Sequence, residues 1–111
     1  MFDLKGKKYA AEIPSEAIAS GPEWTPAAPL PMTFDKAVQV ARGELRKIVG
    51  DDSKWEITEI NLRHLGGENE NKWYYVLQLK LKVRDPAVIP DFCIVPISLS
   101  GEPGRIVRYG P

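Results

Sequence analysis

The sequence has few of the residues that crosslink small proteins, bind metals or act in catalysis. Among its 111 residues it has one cysteine, Cys93, and one histidine, His64. A lone cysteine excludes an intramolecular disulfide, and the apolar neighbours of Cys93 predict a buried, unreactive thiol. None of the residue spacings that known metal-binding and catalytic motifs use is present around His64. The sequence therefore predicts no catalytic residue, no metal ligand and no cofactor, and it favours a protein that is not an enzyme.

A net charge and a long apolar run are also missing. Fifteen Lys and Arg residues balance fifteen Asp and Glu residues, so the formal net charge is zero. No global field draws nucleic acid or an anionic membrane to such a chain. No apolar run is long enough to cross a bilayer. We expect no nucleic-acid partner and no membrane span.

Proline, by contrast, is concentrated in the first third of the chain. A chain of 111 residues is near the common size of one domain. The prolines of this region are Pro14, Pro22, Pro26, Pro29 and Pro31. They predict an irregular Pro-rich N-terminal arm over residues 1–31 and a single domain over residues 32–111. Because a solvated Trp24 would leave a large apolar surface in water, we expect the arm to pack on a sheet.

Apolar residues recur at helical spacing from Thr33 onward. The positions on this face are Phe34, Val38, Ala41, Leu45 and Ile48. Thr33 suits an N-cap and Gly50 suits the C-terminal end. Gly43 falls within the pattern, where it costs about 1 kcal/mol relative to Ala. The spacing predicts one amphipathic helix.

Alternating apolar and polar residues predict strands after the helix. These run over 55–65, with a β-bulge at Thr58 and Glu59, over 73–84, over 92–99 and over 105–109. Pro96 indicates an edge or a bulge in the third of these strands. The predicted fold class is α+β, with the helix packed on a curved antiparallel sheet of about four strands. The expected core residues are Phe34, Val38, Leu45, Leu77 and Leu79.

The order of these elements resembles PepSY-like and cystatin-like α+β domains over residues 33–109. The resemblance depends on the helix from Phe34 to Val49, the strands that begin at Trp55 and Trp73, and the segment from Ile97 to Gly101. It implies a binding, inhibitory or regulatory domain. The cystatin Gln-x-Val-x-Gly hairpin and Pro-Trp pair are missing, so no inhibitory residue is assigned. The resemblance implies an extracytoplasmic location if a signal peptide has been removed, whereas a native start at Met1 implies a cytoplasmic one.

Five residues are candidates for partner binding. They are Trp24, Tyr74, Lys80, Lys82 and Arg84. The basic residues and Tyr74 share one parity, so they form a stripe that could bind an acidic peptide or single-stranded nucleic acid. Such a stripe more often keeps an exposed sheet face soluble. Asp51 and Asp52 are expected to lie in a solvated turn.

The function expected from these patterns is a small non-enzymatic binding or regulatory domain that contacts a protein partner, a second copy of the chain included. The alternative is a small-molecule carrier or minor enzyme with a pocket between helix and sheet. In that case Trp73, Tyr75 and His64 would supply the polar groups.

Overall fold

The computed structural model describes residues 2–67 and 69–109 and is mostly β-sheet, with 44% strand and 20% helix. The elements are β1 (Phe2–Leu4), β2 (Lys7–Glu12), α1 (Ser15–Ala19), α2 (Phe34–Val49), β3 (Trp55–Gly66), β4 (Asn69–Leu81), β5 (Phe92–Ser98) and β6 (Arg105–Tyr109). The described strands form two antiparallel sheets of three strands each. The first sheet has the order β1-β2-β6, and the second has the order β3-β4-β5.

The predicted single sheet of about four strands is therefore wrong. The last predicted strand, β6, does not join β5 but pairs with β2 in the first sheet. The prediction of an irregular N-terminal arm over residues 1–31 is also wrong, because this segment contains β1, β2 and α1. Lys5 and Gly6 both have positive φ and form a two-residue turn between β1 and β2. This tight turn lets a short hairpin form ahead of the prolines.

Helix α2 begins and ends as the sequence predicts. The Lys36 N–H donates to Thr33 Oγ1 at 3.3 Å, and Gly50 has a φ of 77° at the C-terminal end. Ala37, Ala41 and Leu45 form the fully buried face of the helix. The two small alanines allow the helix to lie close over β4 and β5.

The core joins α2 to both sheets. Leu45, Leu77 and Leu79 are fully buried, as predicted. Phe34 was also expected in the core but is 51% exposed, because it is the first helical residue. Its ring meets that of Tyr75 edge-on, with the ring centroids 5.8 Å apart. Val38 is only partly buried. Phe2 and Leu4 of β1 enter the same buried cluster, so the first sheet shares the core with the second.

Two local features of the second sheet agree with the sequence. The register between β3 and β4 shifts between Ile57 and Glu59, which confirms the predicted β-bulge. Pro96 lies in β5, at the end of the strand order, and its carbonyl accepts from the Gly104 N–H at 2.7 Å. The N–H that proline lacks therefore falls on the side away from β4, where no ladder bond is lost.

Gly104 lies where the two sheets meet, between Pro96 of β5 and Glu12 of β2. A Cβ at this position would lie 2.6 Å from Pro96 Cγ and 2.8 Å from the Glu12 carbonyl oxygen. A proline ring and a strand backbone are both stiff, so neither neighbour can move aside at low cost. Gly43, in the middle of α2, has no atom within 4 Å of such a Cβ.

We expect these two glycines to respond in opposite ways to alanine. Gly104→Ala should lower the free energy of unfolding by about 1–3 kcal/mol through overpacking. Gly43→Ala should raise it by about 0.5–1 kcal/mol, because alanine loses less conformational freedom on folding. Denaturant titration of both variants measures the difference. Equal effects of the two substitutions would contradict the proposed close contact.

Candidate functional site

The five predicted partner-binding residues do not form one surface. Trp24 lies on the core side of the second sheet, where its ring meets Trp73 edge-on at 5.3 Å and its main-chain N–H donates to the Asn71 carbonyl at 2.9 Å. The expected packing of the proline-rich segment through Trp24 is confirmed by these contacts. Tyr74 follows Trp73 in β4, so its side chain lies on the opposite, outer face.

The basic stripe is interrupted. Lys80 lies in β4 on the same face as Tyr74, about 20 Å along the strand. The strand ends at Leu81, so the expectation that it continues to Arg84 is wrong. Lys82 and Arg84 lie in the exposed connection to β5. Their role in partner binding stays a prediction.

Tyr74 instead lines a groove on the outer face of the second sheet. The groove has a volume of about 430 Å³. Its lining residues are Ala11, Glu12, Ile13, Arg63, Tyr74, Val76, Ile94 and Pro96. Residues from β3, β4 and β5 form the floor, and the end of β2 forms one wall. The groove is thus built where the first sheet crosses the second.

The register of the second sheet explains the composition of the floor. Arg63 lies opposite Tyr74, and Val76 lies between Asn61 and Pro96. Ile94 is next to Gln78 in the following row. Apolar side chains therefore occupy the β4 and β5 side of the floor, while polar groups occupy the β3 side.

The polar groups around the groove differ in how they are satisfied. Glu12 on the β2 wall accepts a hydrogen bond from the Tyr109 hydroxyl at 2.8 Å. This bond raises the pKa of Tyr109, because it favours the protonated phenol. Tyr74 and Arg63 make no hydrogen bond or ion pair with any described residue. Their polar groups are available to a ligand.

The three residues expected to supply polar groups to a pocket between helix and sheet, Trp73, Tyr75 and His64, do not converge on such a pocket. Tyr75 is fully buried, and its hydroxyl donates to the Met32 carbonyl at 2.6 Å. Burial raises the pKa of this phenol. His64 is exposed, with its ring 5.0 Å from that of Trp73. The indole nitrogen of Trp73 is buried without a hydrogen-bond partner among the described residues. Since the Tyr75 hydroxyl is already bonded, it is not available to a ligand.

The acidic pair after α2 has a structural role. Arg42 Nη1 donates to Asp52 Oδ2 at 3.2 Å, and Arg46 Nε lies 3.4 Å from Asp52 Oδ1. Arg42 also donates to the Trp55 carbonyl at 3.1 Å. The expected solvated turn is therefore wrong for Asp52, which ties the end of α2 to the start of β3. Asp51 is exposed, and its hydrogen bonds with Ser53 lower its pKa.

Within residues 2–67 and 69–109, no group of three or more His, Cys, Asp or Glu side chains could hold a metal ion. The same residues contain no helix of the length and apolarity needed to cross a membrane.

Tyr74 was predicted from the sequence as part of the basic stripe, whereas the wall of the groove was not predicted. The missed residues are Ala11, Glu12 and Ile13, which were assigned to an irregular arm. The Lys5-Gly6 turn was the available signal, because a glycine in a two-residue connection between apolar positions is typical of a hairpin.

The burial of the Cys93 thiol can be tested through the pH dependence of stability. Burial raises the pKa of this thiol from 9.0 to about 12. The unfolded chain therefore loses this proton at lower pH than the folded chain does. We expect the free energy of unfolding to be constant below about pH 8 and to fall above pH 9, by up to about 1.4 kcal/mol per pH unit.

The control for this pH dependence is Cys93→Ala, which removes the titrating group. Chemical denaturation of both proteins between about pH 8 and pH 10 measures the difference. Because the variant keeps Tyr75, ionisation of that phenol affects both profiles alike. Parallel pH profiles for the parent and the variant would show that Cys93 is not the group responsible.

Comparisons with known proteins identify no relative. No family model, no curated protein and no solved structure matches this chain. The resemblance to PepSY-like and cystatin-like domains stays a prediction. The geometry of the groove and of the sheet edges is therefore the basis on which function is inferred.

Proposed function

We propose that the protein is a non-enzymatic binding domain, and that its outer-face groove takes a short extended segment of a protein partner. The observation that carries this proposal is an open groove that combines an apolar floor with unpartnered polar groups. Val76 and Ile94 supply partly exposed apolar surface, and the Tyr74 hydroxyl has no hydrogen-bond partner among the described residues.

The shape of the groove favours a peptide segment. Sites for small molecules enclose most of the ligand surface. This groove is an open depression on a sheet face, with β2 as its wall. An extended segment presents alternate side chains to one side, so apolar residues two positions apart can reach Val76 and Ile94.

The polar groups favour a defined orientation of that segment. A bound main chain carries unsatisfied carbonyl groups once it leaves water. The Tyr74 hydroxyl can donate to one of them, because it has no partner among the described residues. The apolar floor then provides most of the binding free energy, and the hydrogen bond from the Tyr74 hydroxyl fixes the orientation of the bound segment.

Affinity selection from a random peptide library tests the proposal. We expect the parent protein to enrich peptides with apolar residues at alternate positions. Ile94→Glu places a charge on the apolar floor and should weaken binding of an enriched peptide by about tenfold or more. Tyr74→Phe should weaken it less, in proportion to one hydrogen bond of about 0.5–1.5 kcal/mol.

The matched control is Ile89→Glu. Ile89 is 91% exposed and lies in the connection between β4 and β5, outside the groove. This variant introduces the same charge and should bind the peptide as the parent does. Equal binding to both glutamate variants, or no enrichment over the Ile94→Glu protein, would refute the proposal. Thermal denaturation of each variant confirms that it is folded.

A further inference from the structure

Strand β3 leaves one edge of the second sheet unpaired among the described residues. It is the first strand in the order β3-β4-β5 and pairs only with β4. An edge strand presents a row of main-chain N–H and C=O groups to any chain that can pair with it. The regular part of this edge runs from Glu59 to His64, between two register shifts.

The hydrogen bonds of β4 show which groups of β3 face outward. The Lys82 N–H donates to the Lys54 carbonyl, whereas the Leu81 N–H donates in the opposite direction, to the Asp91 carbonyl. Along an antiparallel strand, the main-chain N–H and C=O groups of successive residues point to opposite neighbours. The main-chain groups of even-numbered β4 residues therefore bond to β3. Ile60 and Leu62 face the odd-numbered Leu77 and Tyr75 across the ladder. Their own N–H and C=O groups therefore point away from the sheet.

We propose that a second copy of this chain pairs with this edge, antiparallel and centred on Asn61. Ile60 then lies opposite Leu62 of the partner subunit, and the two residues exchange both main-chain hydrogen bonds. The two-fold axis repeats this exchange, which gives four hydrogen bonds. The β3-β4-β5 sheets of the two subunits then join into one sheet of six strands.

Charge complementarity selects this register. Glu59, Asn61 and Arg63 share the outer face, opposite Gln78, Val76 and Tyr74. With Asn61 at the centre, Glu59 lies opposite Arg63 of the partner subunit, and this ion pair occurs twice. Moving the centre to Glu59 or to Arg63 places like charges opposite each other, which is unfavourable. Centres at Ile60 or Leu62 leave both charges without an opposite charge.

The apolar face of the same edge is also incompletely covered. Helix α2 lies over β4 and β5. Ile60, on the side of the sheet that faces the helix, is 37% exposed. The proposed pairing places Ile60 beside Leu62 of the partner subunit, so both faces of the new contact are complementary. Natural edges avoid such pairing with lysine, proline or a bulge, and the segment from Glu59 to Arg63 contains none of these.

A charge exchange tests the register. Sedimentation of the parent over a concentration series should show twice the 12.4 kDa mass of the chain at high concentration. Glu59→Arg and Arg63→Glu each replace two attractive pairs by two repulsive pairs, so each should weaken dimerisation by about tenfold or more. The double variant restores opposite charges and should dimerise as the parent does. A parent that remains monomeric up to about 1 mM, or a double variant no better than the single ones, would overturn the proposal.

A cysteine placed at the proposed centre gives a second, independent measurement. Asn61→Cys brings two thiols together at a non-hydrogen-bonded pair, where Cβ atoms are about 4.5–5.5 Å apart. Oxidation should crosslink most of the protein into a dimer. Glu56→Cys, on the same face of β3, is the control, because its copies would lie about 30 Å apart. Cys93 is fully buried and does not interfere. Equal crosslinking of the two variants would contradict the register. Arg63 also lines the groove, but both experiments measure dimerisation without a peptide, so their outcome is separate from that of the proposed peptide binding.

Discussion

The contact between Gly104, Pro96 and the backbone of Glu12 is the constraint on which the architecture depends. At this point the chain leaves the edge of β5 and turns to pair with β2. The space for a side chain is missing, because Pro96 Cγ and the Glu12 carbonyl oxygen both lie within 3 Å of where a Cβ would be. This close approach lets one segment bond first to the second sheet and then to the first. It also fixes β2 above β5, so the wall of the groove and the junction of the sheets are the same feature.

The elements with strong periodicity could be predicted from the sequence. The alternation of β4 gave the correct buried residues Leu77 and Leu79, and Thr33 and Gly50 marked the ends of α2 correctly. These predictions succeeded because burial on one face imposes a repeat that local sequence must follow. The β-bulge was predictable for the same reason, since the apolar residues of β3 change parity there.

The pairing of strands could not be predicted in the same way. β1 and β2 are short, and their residues include two lysines and two alanines, so they lack a clear alternation. Pairing of β2 with β6 depends on contacts between distant parts of the chain, which no local pattern records. The residues of the groove divide in the same way, into those that local periodicity predicts and those that depend on strand pairing. Tyr74 was found from the parity of β4, whereas the β2 wall depended on the missed pairing.

The groove and the β3 edge lie on different parts of the second sheet, and each constrains the other. Arg63 reaches the groove from β3, and in the proposed dimer the same residue meets Glu59 of the partner subunit. The floor residues Val76 and Ile94 are set back from that edge by one strand or two. Pairing along β3 would therefore place two grooves side by side on the same face of one continuous sheet, open for occupation by two segments of one elongated partner.

The first sheet has a further consequence for how the protein opens. Its β2–β6 ladder pairs Lys8 with Tyr109 and Glu12 with Arg105, residues near opposite ends of the chain. Closing so long a loop has a large entropic cost, whereas β3 and β4 follow each other in the chain and form a local hairpin. We therefore expect the first sheet to assemble last and to exchange its amide protons before the second sheet does. Its transient release would remove the β2 wall while leaving the sheet beneath it intact, so partner exchange in the groove could proceed without unfolding of the core.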